Sequence, residues 1–167
     1  MHRISQLTVK RTADLEPGEL LRMSFGNSAA IVLFLKKLNY EEGLFGILES
    51  EDFTEAMTWY ATSLDDVCLS YGNDWVLEET HGSETACGLQ HKYESARLFL
   101  DKSGLIMAFR PPQRSGRYQT FYYSLAKLEE EKLGRDPAPI SHWRVWGSRD
   151  DFERGGTSLF EMPQKKS

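Results

Sequence analysis

Three side chains that could do chemistry fall within eleven residues: His81, Cys87 and His91. Imidazole and thiolate are common zinc ligands, and Cys68 or His142 would supply a fourth. The spacing matches none of the recurrent zinc patterns, and no pair of close CxxC or HxxxH motifs is present. The same residues could form a nucleophile pair, with Cys87 as thiolate and His91 or His81 as base. Such pairs are made in space, so their separation along the chain neither supports nor excludes one. An ordinary polar loop with a half-buried cysteine accounts for the same residues without any chemistry.

A second cluster is basic. Arg110, Arg114 and Arg117 lie within eight residues, followed by Tyr118, Tyr122 and Tyr123. Guanidinium forks bind phosphate or carboxylate through two parallel hydrogen bonds, and aromatic rings stack on bases. A helix starting near Arg117 would add its N-terminal dipole to an anion site. The plainer account is a solvated connector whose arginines cover apolar edges.

Other candidates are weaker. Trp59, Trp75, Trp143 and Trp146 suggest a carbohydrate platform, but large aromatics more often fill cores. Glu129-Glu130-Glu131 is read as the wet face of a helix. No glycine-rich phosphate loop, G-x-S-x-G elbow or H-E-x-x-H motif occurs.

The elements that must position these residues centre on Glu19–Glu49. Ala29 to Leu35 is an uninterrupted run of seven apolar residues. A membrane span needs about 20, so the run is read as a strand buried on both faces. Strands at Leu20–Phe25, Ala29–Lys37 and Leu44–Leu48 make a meander, the first turn being Gly26-Asn27-Ser28. Further strands are expected at Ile4–Val9, Val67–Tyr71, Trp75–Glu79, Ala96–Leu100, Leu105–Arg110, His142–Trp146 and Ser158–Glu161. Gly72-Asn73-Asp74 and Asp101-Lys102-Ser103-Gly104 signal hairpins. Phe53, Ala56, Met57 and Tyr60 share a helical spacing, predicting a helix over about 51–61, with a strand at Met57–Thr62 as its rival. Tyr118, Phe121, Tyr122, Leu125 and Leu128 predict a second helix, ending near Gly134 and Pro137. Asp150–Arg154 is read as a turn or short helix.

The expected class is therefore α+β: a mostly antiparallel, curved sheet of about eight strands, sandwich- or barrel-like, with one or two helices packed on it. Residues 1–167 make one globular domain with short polar tails, a size that buries a sizeable core without staples. Twenty basic and 25 acidic residues give a net charge of −5, which disfavours nucleic acid as a partner. Two cysteines make no disulfide framework, and the start carries no apolar signal segment, so a soluble cytoplasmic protein is expected. The functional expectation is a non-catalytic binding or interaction module without a cofactor. Its partner would be another protein or a second copy meeting a sheet edge. Anion or nucleic-acid contact through Arg110–Tyr118, and a small enzyme or metal protein working from His81–His91, are the alternatives.

Overall fold

The apolar run does become a central strand: Val32, Leu33, Phe34 and Leu35 are all completely buried. The computed structural model describes residues 7–25, 28–50, 56–80, 96–112 and 119–162. A first sheet contains β1 (Thr8–Arg11), β2 (Leu20–Phe25), β3 (Ser28–Lys37), β4 (Glu42–Ser50), β5 (Thr58–Ser63) and β6 (Val67–Gly72). Its order is β1-β6-β2-β3-β4-β5, so the meander from β2 to β5 is intact and β6 returns to the far side of β2. The turn between β3 and β4 is closed by Asn39, whose side-chain oxygen accepts the N–H groups of Glu41 and Glu42 at 2.8 and 2.9 Å. This is how an Asn side chain substitutes for backbone in a tight turn.

A second sheet contains β8 (Leu98–Asp101), β9 (Gly104–Phe109), β10 (Phe121–Ser124), β11 (Glu129–Glu130) and β12 (Ala138–Ile140), in the order β11-β10-β9-β8-β12. The expected β8–β9 hairpin is present, with Gly104 at φ 115° where a side chain would be strained. A third sheet places β13 (Trp143–Trp146) between β14 (Phe160–Met162) and β7 (Val76–Glu79). The hairpin expected around Gly72-Asn73-Asp74 does not form. β6 pairs with β1 and β2 while β7 pairs with β13, so that turn carries the chain from one sheet to another.

The α+β expectation is corrected. Strands account for 56% and helix for 6% of the described residues, in three antiparallel sheets, which makes this a mostly β protein. The helix expected from Tyr118 to Leu133 is β10, a turn and β11 over its described residues. A single turn does mimic a helix there, because Leu128 N–H donates to the Ser124 carbonyl at 2.9 Å. Leu128 itself then sits at φ 56°, left-handed, and the Leu125 N–H donates across the sheet to Leu105. Of the helix expected over 51–61, residues 51–55 lie outside the described part. Met57 has φ 62°, and Thr58–Ser63 is a strand paired along β4, so the β-forming Thr-Trp-Tyr-Ala-Thr run prevails. The α-helix among the described residues is α1 (Arg149–Glu153), capped by Ser148 Oγ accepting the Asp151 N–H at 3.1 Å.

Two apolar clusters lie on the two faces of the first sheet. Leu20, Leu33, Leu35 and Leu44 face a main core shared with Met107, Phe109, Tyr123 and Trp143 of the other sheets. Leu21, Val32, Phe34 and Phe45 face the other way, packed with Leu15 and Leu64. Pairing irregularities at Leu20/Leu21, Ile31/Val32 and Phe34/Lys36 bend the sheet over this second cluster. Rings of Phe25 on β2 and Tyr60 on β5, three strands apart, meet edge-on at 5.7 Å. Among the described residues no helix is long and apolar enough to cross a membrane.

Candidate functional site

Among the described residues, the main chains of the first and second sheets are bridged at one short junction. Trp59 N–H donates to the Arg110 carbonyl at 2.9 Å and Arg110 N–H to the Met57 carbonyl at 2.8 Å, a parallel bridge between β5 and the residue after β9. Pro111 and Pro112 come next, and neither has an N–H to continue the ladder. Beyond the junction the sheets separate around an open groove of about 570 Å³. Leu44, Trp59, Tyr60 and Ala61 contribute from the first sheet, and Pro112, Gln119, Thr120 and Phe121 from the opposite side. The Trp59 indole N–H ties the two sides together by donating to the Gln119 carbonyl at 3.2 Å.

Among the described residues, the charged groups of this groove are Lys36 and Glu130. Lys36 reaches it through a bulge. Phe34 is opposite Phe45 and Lys36 is opposite Leu44, so Leu35 is an extra residue in β3. Simple alternation would send Lys36 to the side of Phe34; the bulge re-aims it to the side of Leu33 and Leu44. There its ammonium stands 5.0 Å from the centre of the Phe121 ring and 2.7 Å from Glu130 Oε2. The ring's negative face attracts the cation. The pair thus links β3 of the first sheet to β11 of the second. Both side chains remain accessible, at 39% for Lys36 and 57% for Glu130, so the ion pair contributes at most about 1 kcal/mol.

Among the described lining residues there is no histidine or cysteine, and Lys36 is already paired. The described lining provides an apolar, aromatic surface with one cation and one anion, suited to holding a molecule.

A second polar cluster has a structural role. Glu19 is only 2% exposed, yet both its oxygens are satisfied: Lys10 Nζ at 2.9 Å to each, the Glu16 N–H at 2.9 Å and Ser70 Oγ at 2.6 Å. Burial pushes the carboxyl upward, but the Ser70 and Glu16 hydrogen bonds and Lys10 overcome it and hold Glu19 below its usual value. It fastens the loop before β2 to β1 and β6. Cys68 lies nearby, with its thiol pushed up by burial and by Glu19 against the opposing pull of Lys10.

The residues expected to do chemistry are placed only in part. Arg110 is half-buried, and its main chain makes the junction that bounds the groove. Arg114, Arg117 and Tyr118 lie outside the described residues, as do His81, Cys87 and His91. Of the further ligands considered with them, Cys68 is buried in the first sheet and His142 precedes β13 with its Nδ1 3.0 Å from Ser141 Oγ. Among the described residues no group of three or more His, Cys, Asp and Glu side chains is placed to hold a metal ion. Sequence reasoning missed Lys36, Phe121 and Glu130 as partners. The one available signal was a lysine ending the most buried strand.

Fold and groove define a three-sheet antiparallel β protein with an open, aromatic-lined site at a sheet junction. No family model, curated protein or solved structure matches the chain.

Proposed function

We propose that this protein is a non-catalytic binding protein that holds a small, partly apolar molecule in the groove between β5 and β10. The observation that carries the reading is the groove itself: about 570 Å³, within the range of small-ligand sites, with aromatic walls and few polar groups. Trp59 and Phe121 supply contact area at low conformational cost. Cytoplasmic location, expected from the cysteine content, belongs to the same proposal.

The test is a fragment screen followed by two-dimensional amide NMR. Ligands should move the Trp59 indole N–H signal, assigned with Trp59→Phe, together with the amides of Ala61 and Phe121. Ala61→Trp, which fills the groove from β5, should abolish those shifts while the remaining spectrum stays dispersed. A screen in which every hit perturbs residues elsewhere and ignores Ala61→Trp would overturn the reading.

A further inference from the structure

The Lys36–Glu130 pair says more about what the groove takes. We infer that the ligand carries an anionic group, that Lys36 is its anchor, and that Glu130 is a built-in substitute which the ligand displaces. The inference rests on the groove being a ligand site.

The two members of the pair are held very differently. Lys36 is set by the β3 bulge and by the Phe121 ring beneath its ammonium. Phe121 is itself buried, at 9% exposure, and its ring stacks at 6.5 Å on the fully buried Tyr123. The cation therefore has a fixed seat. Glu130 belongs to a two-residue strand at the outer edge of the second sheet, paired only as Tyr123 with Glu130 and Ser124 with Glu129. It is the more exposed partner. When the pair opens, the carboxylate is the group free to swing into water.

Exchange is also cheap. An accessible ion pair contributes little, so an incoming carboxylate, sulfonate or phosphate replaces one weak interaction by another and adds burial of its apolar body. Among the described lining residues Lys36 is the sole cation. A cationic ligand would instead have to unseat Lys36 from its ring.

A matched pair of dyes tests this: 1-anilinonaphthalene-8-sulfonate, and N-phenyl-1-naphthylamine, which lacks the sulfonate. Both are titrated by fluorescence into the wild-type protein, Lys36→Met, Glu130→Gln and Ala61→Trp, at low and high salt. The sulfonate should bind more tightly than the neutral dye. Glu130→Gln should tighten it by up to about fivefold, the equilibrium equivalent of losing an exposed competing pair. Lys36→Met should reduce the sulfonate to the affinity of the neutral dye and remove its salt dependence. Equal binding of both dyes, unchanged by Lys36→Met and Glu130→Gln but blocked by Ala61→Trp, would sink the anion anchor and leave the groove as a binding site. Dye binding indifferent to Ala61→Trp would remove both. Tighter sulfonate binding in Lys36→Met than in Glu130→Gln would show that Lys36 is no anchor for the anion and overturn the inference.

Discussion

The ring of Phe109 lies against the backbone of Gly46, in the space that a Cβ on that residue would occupy. Gly46 is in β4, between Leu44 and Leu48 on the face turned to the main core, and Phe109 is the last residue of β9. The first and second sheets approach each other here because β4 presents no side chain. Phe109 is completely buried, so its ring has nowhere to go. Gly46→Ala should cost about 1–3 kcal/mol by overpacking. Urea unfolding measures it, and the double variant Gly46→Ala/Phe109→Leu should recover part of the loss. Additive losses would show that the two residues do not share that space.

Glu19 makes stability depend on acid. Its folded pKa lies below the ordinary value, so its contribution is present above the unfolded value, about 4.3, and is lost as pH falls through the folded value. Urea midpoints measured from pH 7 down to pH 3 should fall more steeply for the wild type than for Glu19→Gln. Ser70→Ala, which removes a bond of 2.6 Å to a buried carboxylate, should cost about 1–3 kcal/mol at pH 7. Parallel pH curves for Glu19→Gln and wild type would refute the assignment.

Tyr123 offers the opposite case. Its hydroxyl is buried without a hydrogen-bond partner among the described residues, and burial raises its pKa far above the ordinary value. Tyr123→Phe should therefore be neutral or stabilising, by up to about 1–3 kcal/mol, since it removes an unmet desolvation cost. The sign with base follows. Stability is unaffected below the unfolded tyrosine pKa, about 10, and declines as pH rises beyond it toward the folded value, because only the unfolded chain then ionises. Thermal melts of Tyr123→Phe at pH 9 and pH 11 should show a smaller drop than wild type. A destabilised Tyr123→Phe would reveal a partner for the hydroxyl.

Cys68 should be inert in the folded protein. It is 3% exposed, and burial and Glu19 raise its thiol pKa. In a Cys87→Ser background, an aromatic disulfide reagent should label Cys68 only at the rate of unfolding, and immediately in denaturant. Rapid native labelling would contradict the burial.

Strand positions in the first sheet were legible because β2, β3 and β4 alternate or run apolar between recognisable turns. The helices were misread for local reasons. Ser124 and Leu128 do make one helical-type hydrogen bond, so the residues around them carry a helical spacing that a left-handed Leu128 then cancels. The partner of β7 was equally hidden, since a turn at Gly72 looks the same whether it closes a hairpin or crosses between sheets. The groove could not be read at all. Lys36, Trp59, Phe121 and Glu130 are far apart in the chain, and a one-residue bulge decides which way Lys36 points. No periodic pattern encodes that slip.

The place of β6 between β1 and β2 carries a consequence for how the protein is made. During synthesis β2 and its neighbour β3 emerge long before Val67–Gly72, which lies more than forty residues after Phe25. At translation rates of about 5–20 residues per second, the open edge of Leu20–Phe25 waits for seconds without its neighbour. That edge is long and carries Leu21, Met23 and Phe25, all buried once folding ends. An unpaired apolar edge is a template for another chain. Nascent copies on neighbouring ribosomes are thus most adhesive at a strand that the finished molecule pairs along both edges.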